Sequence, residues 1–202
     1  MLNIGVLVSG SGTNLQAILD RMDEGALPGV RAAAVISDRP GAYALERAQK
    51  RGVPAFCVKR PDYPTQAGYE AELAARLIAH GVELVVLAGF LTILGDVFIG
   101  AFPGRIINIH PSLIPSFCGK GFYGLRVHRA ALERGVKITG ATVHYVNNEI
   151  DGGPIIMQKA VPVEPGDTPE TLQKRVLEQA EWDILPKAIR GIAQAHDAGS
   201  RR

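Results

Sequence analysis

The sequence predicts an α/β fold with an open, mostly parallel but mixed twisted sheet and helices on both faces. Three observations predict it. The chain opens on a short apolar run, Asn3 to Val8, that ends in the glycine loop Ser9-Gly-Ser-Gly-Thr-Asn14, after which Leu15, Ile18 and Leu19 take up helical spacing. Strand and helix signals then alternate, the arrangement that builds a parallel sheet. Near the C-terminal end, two strand-like stretches are separated by Asp151-Gly152-Gly153 with no helix between them, so this pair reads as an antiparallel hairpin.

After the first unit, Val30 to Ile36 reads as the second strand, Tyr43 to Arg51 as a helix and Pro54 to Val58 as the third strand. Tyr69 to His80 is an Ala/Leu-rich helix, and Glu83 to Ala88 is a continuous Leu/Val run of the kind found in a fully buried parallel strand. Gly89 to Leu94 leaves that strand at its carboxyl end, where open α/β sheets bind ligands. Its apolar residues suit either a flat aromatic ligand or the core. In Arg105 to Ser112 the β-branched Ile106, Ile107 and Ile109 favour a fifth strand, and Pro111 should stop it at His110. Two prolines and three glycines make Pro111 to Gly124 a loop, long enough beside a site to suggest a lid. Helix resumes over Val127 to Arg134, strands follow over Ile138 to Val146 and Ile155 to Val163, and a final helix runs from Thr168 to about Gln194 with an expected break at Pro186.

With 202 residues and 47% apolar content, residues 1–202 are expected to form a single domain. The net charge of +2 is small, and no Lys/Arg block stands out beyond the terminal Ser200-Arg201-Arg202, so composition argues against nucleic acid and anionic membranes as partners. A small molecule is the expected partner. Cys57 and Cys118 show neither metal-ligand nor CxxC spacing, and no stretch reads as a signal peptide or membrane span. These features predict a cytoplasmic protein; a homo-oligomer is compatible with them.

Period two puts Asn108 and His110 on the same side of the fifth strand, at its carboxyl end. A lone histidine there is more often structural than catalytic. The Glu149-Ile-Asp-Gly-Gly-Pro154 stretch adds a carboxylate, Asp151, beside glycines that allow close backbone approach. Amide donor, imidazole and carboxylate could then converge. His144 lies seven residues before Asp151 and either orients it or is simply structural. The Ser9 to Asn14 loop suits a phosphate, with Thr13 or Asn14 as helix cap, and suits a plain tight turn equally well. It lacks the third glycine of the dinucleotide fingerprint, since Leu15 stands there, and no P-loop lysine follows. Cys118 has no spacing that would mark a nucleophile.

The glycine loop, Asn-Ile-His-Pro-Ser and Asp-Gly-Gly-Pro, in this order, give a sequence that resembles the phosphoribosylglycinamide formyltransferase family from Asn3 to about Ile192. The resemblance implies a formyltransferase-like, Rossmann-type fold and transfer of a formyl group from 10-formyltetrahydrofolate to the amino group of glycinamide ribonucleotide in purine biosynthesis. It implies Asn108, His110 and Asp151 as the catalytic set, with His144 in support, and Gly12, Thr13 and Asn14 on the substrate phosphate. It further places Glu181 on the ribose, Leu91, Thr92, Ile93 and Leu94 on the folate together with Asn108, and the loop from Asn147 to Asp151 around the pterin. Three departures stand out: Thr92 and Gln66 occupy positions where many members carry arginine, and the loop from Cys118 to Gly124 is longer than in many of them. Formyltetrahydrofolate hydrolase and methionyl-tRNA formyltransferase resemble the same core, usually with an N-terminal regulatory domain and a basic C-terminal domain respectively. A non-catalytic folate or nucleotide binding module is the reading from another class.

Formyl transfer to an amine builds charge on the formyl oxygen and requires a route for the amine proton. Asn108 and a protonated His110 can donate to that oxygen. A nearby Asp151 is expected to favour the imidazolium and to relay the proton, and nothing calls for a metal.

Overall fold

In the computed structural model, which describes residues 1–199, the chain runs β1 (Leu2–Val8), α1 (Thr13–Asp23), β2 (Val30–Ser37), α2 (Tyr43–Lys50), β3 (Ala55–Cys57), α3 (Gln66–Ala79), β4 (Leu84–Leu87), α4 (Asp96–Ala101), β5 (Ile106–His110), α5 (Leu125–Arg134), β6 (Ile138–Tyr145), β7 (Ile155–Pro162), α6 (Pro169–Val176) and α7 (Trp182–Gly199). Ser200, Arg201 and Arg202, the basic end of the sequence, lie outside the described residues.

The seven strands form one sheet in the order β3-β2-β1-β4-β5-β6-β7. The pairs from β3 through β5 are parallel, and β5–β6 and β6–β7 are antiparallel. The order reverses between β1 and β4, so the loops after these two strands diverge and leave a crevice at their carboxyl ends.

Period two divides the core. Ile4, Val6, Leu84, Val86, Ile107 and Ile109 face α1, α2, α5, α6 and α7, whereas Leu7, Ile36, Val85, Leu87 and Ile106 face Tyr69, Leu73 and Leu77 of α3 and Phe98 of α4. Leu84 to Leu87 is buried throughout, as a central strand covered on both faces requires.

Four local expectations need correction. The N-cap of α1 is Gly12 in the left-handed conformation (φ 71°), with no side-chain cap; neither Thr13 nor Asn14 occupies that position. Helix α3 begins at Gln66, earlier than the apolar periodicity suggests, because the Thr65 hydroxyl accepts the Gly68 N–H at 3.0 Å and caps it. Helix α4, six residues long, was not expected from the sequence, being too short to show a period. The final helix does not break at Pro186, which lies inside α7; the irregularity comes one turn earlier, as a π-helical segment at Leu177–Glu181. The proline ring would crowd the carbonyl of Trp182, and the widened turn ends at that residue.

Candidate active site

A cavity of about 550 Å³ opens at the carboxyl ends of β1, β4 and β5 and brings together every site residue expected from the sequence. Gly12, Thr13, Asn14 and Glu181 line one region, and Leu91, Thr92, Ile93, Leu94 and Asn147 line another. Asn108, His110, His144 and Asp151 line the same cavity. A second cavity of about 570 Å³, between α1 and the amino-terminal part of β2, contains none of them. Arg51 on its rim is already paired with Asp20 at 3.0 Å.

Asn108 and His110 lie two residues apart on β5, and Asn108 is the register partner of His144 across the antiparallel β5–β6 pair. The His144 Nδ1 nitrogen lies 2.8 Å from the Tyr145 carbonyl and must carry the proton there. In the neutral ring Nε2 then accepts from Asn108 Nδ2 at 3.1 Å, which fixes the amide and leaves its second N–H free. His144 Nε2 is also 3.7 Å from Asp151 Oδ1. His144 therefore orients Asn108 as well as standing beside the carboxylate.

Asp151 sits in the β6–β7 connection with φ 56°, a backbone conformation uncommon for a residue with a side chain. Two residues on, a Cβ at Gly153 would meet the Tyr145 carbonyl oxygen at 1.8 Å, so only glycine lets the chain return so closely. Asp151 is thereby turned into the cavity, its side chain 11% exposed, with Oδ2 accepting the Gly119 N–H at 2.8 Å. Burial pulls its pKa up, but the adjacent His144 and His110 rings and the Gly119 N–H outweigh this, and the carboxyl lies below its ordinary value.

His110 is buried, with Nδ1 3.7 Å from Asp151 Oδ2 and Nε2 donating to the Phe117 carbonyl at 2.9 Å. Its pKa is lowered: burial works against the charged ring and prevails over Asp151 and the Phe117 carbonyl, both of which favour it. The carboxylate alone therefore does not hold His110 as imidazolium in the free protein, contrary to expectation, because the ring is removed from water.

The loop expected as a lid is docked on this site through the His110–Phe117 and Asp151–Gly119 hydrogen bonds, and Gly119 to Gly124 form part of the cavity wall. Leu91 to Leu94 belong to that wall, and Leu94 also packs against the core. They are pinned from behind: the Leu91 N–H donates to Ser9 Oγ at 2.8 Å, Thr92 Oγ1 to Asp38 Oδ2 at 2.7 Å, and Gln66 Nε2 to the Ile93 carbonyl at 3.0 Å. Thr92 and Gln66, the two departures from arginine, thus serve as ties of this wall.

Asn14 Nδ2 donates to Glu181 Oε2 at 2.7 Å. Glu181, in the π-helical segment, is fully enclosed, and its burial pushes the carboxyl up to about 7 against the pull of Asn14. Two further residues of this wall escaped the sequence reading, His128 on α5 and Lys120 in the loop. The available signal for His128 was an ionisable residue on the stripe that Val127 and Ala131 bury. Among the described residues, no group of three or more His, Cys, Asp or Glu is placed to hold a metal.

Residues 2–189 match the family model described as formyl transferase. The chain is similar to phosphoribosylglycinamide formyltransferase of Bacillus subtilis, with 37% identity over 201 residues and the whole of both chains covered. It is 43% identical over 192 residues to the trifunctional purine biosynthetic protein adenosine-3 of Drosophila pseudoobscura pseudoobscura, covering 94% of this chain and 14% of that protein. Across four such trifunctional proteins the chain spans 13% to 19% of their length. Among solved structures, glycinamide ribonucleotide transformylase 1 of Symbiobacterium toebii superimposes with a TM-score of 0.91 at 52% identity, covering 96% of this chain and 89% of that one.

Proposed function

The chain belongs to the formyl transferase family, and from that premise we propose that it transfers the formyl group of 10-formyltetrahydrofolate to the amino group of glycinamide ribonucleotide, in purine biosynthesis. The observation that carries this reading is that Asn108, His110 and Asp151 share one cavity with two differently built regions. One region is polar and lies at the N-terminus of α1, where backbone N–H groups and the helix dipole favour a phosphate. The other presents apolar Leu91, Ile93 and Leu94 in the same cavity as the Asn147 to Asp151 loop, an apolar surface suited to a flat pterin.

The chemistry follows from the hydrogen-bond partners. Asn108, steadied by His144, has one N–H to give to the formyl oxygen as charge develops on it. His110 gives Nε2–H to Phe117 and turns Nδ1 towards Asp151, so one partner must yield before the ring donates to that oxygen. The Phe117 carbonyl, carried on a loop, is the partner that can move. Asp151, ionised and close to His110, favours the imidazolium as negative charge builds and can accept the amine proton and pass it through water to the leaving folate nitrogen. Lys120 is the one Lys or Arg lining the cavity among the described residues and supplies it with positive charge.

We place the protein in the cytoplasm as a single formyltransferase domain. Cys57 and Cys118 are free thiols, and no helix of the described residues is long and apolar enough to cross a membrane. The decisive assay follows tetrahydrofolate release from 10-formyltetrahydrofolate with and without glycinamide ribonucleotide. Release that requires the ribonucleotide and matches formylated product is expected; equal release without it would refute amine transfer.

A further inference from the structure

The wall of this cavity contains polar atoms that the described residues leave unsatisfied. His128 is completely buried, lines the cavity, and has no hydrogen-bond partner at either Nδ1 or Nε2. Asn14 Oδ1, in the same cavity wall, is likewise buried and unpartnered. A buried imidazole with both nitrogens unsatisfied is costly, since each lost partner leaves a desolvated polar group, and such groups are rare enough to need a reason. Nothing in the local packing supplies one: Val127 and Ala131 fill the neighbouring positions with apolar side chains, and an apolar residue at 128 would complete the same stripe.

Resting on the formyl-transfer reading above, we infer that His128 is a substrate-binding residue that hydrogen-bonds an uncharged hydroxyl or carboxamide group of the glycinamide ribonucleotide, and so fixes where the amine sits relative to His110. A neutral imidazole offers one donor and one acceptor, and a hydroxyl or carboxamide can pair with either, whereas a phosphate, only an acceptor, can use only the N–H. The ring is held neutral: burial first, and the neighbouring His110 second, push its pKa down to about 4. An anion would call for the charged ring that this site resists, and the backbone N–H groups at Gly12 to Asn14 provide a separate place for the phosphate. The position also fits a positioning role, because α5 follows directly on the loop that holds His110 and Asp151.

The test separates function from folding because the two predict opposite signs. In His128→Phe the unsatisfied nitrogens disappear and ring volume is largely kept, so the melting temperature should hold or rise. The ribonucleotide Kd by calorimetry and its KM should both rise roughly tenfold, with the KM for 10-formyltetrahydrofolate within about twofold of the parent. His128→Gln, which keeps a donor and an acceptor, should recover part of that loss. Affinity for inorganic phosphate should be the same in parent and variants. Should His128→Phe fail to fold, the imidazole 15N signals of His128 in the parent decide: they should shift on adding ribonucleotide alone and stay put with phosphate. Unchanged ribonucleotide affinity in folded His128→Phe, an equal loss of phosphate affinity, or unmoved 15N signals would each overturn the assignment. A parent enzyme without ribonucleotide-dependent turnover would instead overturn the functional reading, so the two failures are distinct.

Discussion

Asp151 accepts the Gly119 N–H at 2.8 Å on Oδ2, the carboxylate oxygen that also faces His110 Nδ1 at 3.7 Å. His110 in turn donates to Phe117, two residues before Gly119. The imidazole and the carboxylate are thus each bonded to backbone of the loop that walls the cavity, and a displacement of that loop changes the partners of both.

The loop is therefore expected to respond to substrates. Amide hydrogen exchange over Cys118 to Gly124 should slow when ribonucleotide and a folate analogue are both bound, because the segment is then enclosed between ligands and β-sheet. The Gly119 amide is the most informative single position, being bonded to Asp151 before any ligand arrives. Identical protection in free and bound protein would rule out a lid.

Gly12 is expected to matter for two reasons. A Cβ there would lie 2.6 Å from the Ala44 Cβ and 2.9 Å from its Cα, on a backbone with φ 71°. Gly12→Ala should thus lower the melting temperature as well as weaken phosphate binding. In protein that remains folded, KM for the ribonucleotide should rise far more than KM for the folate. Equal increases would show that the loop does not hold the phosphate.

Glu181 should leave a signature in stability against pH. Its folded pKa, about 7, lies above the ordinary 4.5, so the native state binds the extra proton between these values. The associated stability is fully present below about pH 4.5 and is lost as pH rises through about 7. Glu181→Gln carries no such dependence. The melting temperature of the variant relative to the parent should climb from pH 4.5 to about 7 and level off above it, measured without ligand. A pH-independent difference would mean that the carboxyl is ionised throughout.

The course of the sheet was readable from the chain because all seven strands carry local signals: continuous Leu/Val burial in β4, β-branched residues and Pro111 around β5, and a glycine turn between β6 and β7. Asn108, His110 and Asp151 were readable as polar residues interrupting those signals. What escaped depends on contacts between distant segments. Thr65 caps α3 outside its apolar stripe, and α4 owes its start to Glu70, which accepts the N–H groups of Gly95 at 2.7 Å and Phe98 at 3.1 Å. The protonation of His110 could not be read from the proximity of Asp151, since it turns on how far the folded loop excludes water. His128 is meaningful only because α5 packs beside His110, 18 positions away in sequence.

The last prediction concerns Asp151→Asn, which keeps the shape and can still accept the Gly119 N–H through its amide oxygen while losing the charge and the proton-carrying ability. If the carboxylate supports a charged His110 in the transition state and receives the amine proton, kcat should fall by roughly two orders of magnitude or more, the scale of losing one oxyanion donor. Each KM should stay within about a few-fold of the parent value, since ground-state contacts are kept. The pH profile decides between this role and plain support of the loop. Burial already lowers the His110 pKa and Asp151 opposes that lowering, so removing the charge moves it further down and the alkaline limb of the remaining activity to lower pH. Stability gives an independent check on the acid side. The Asp151 pKa lies below the ordinary 3.8, so its contribution is present above that value and is lost as pH falls through the folded pKa; the Asn variant should lose stability less steeply there. A merely structural Asp151 predicts a lower melting temperature at neutral pH with weakened folate binding and an unmoved alkaline limb. Near-parent kcat in a well-folded Asp151→Asn protein would remove the carboxylate from the mechanism and leave Asn108 and His110 to carry the reaction.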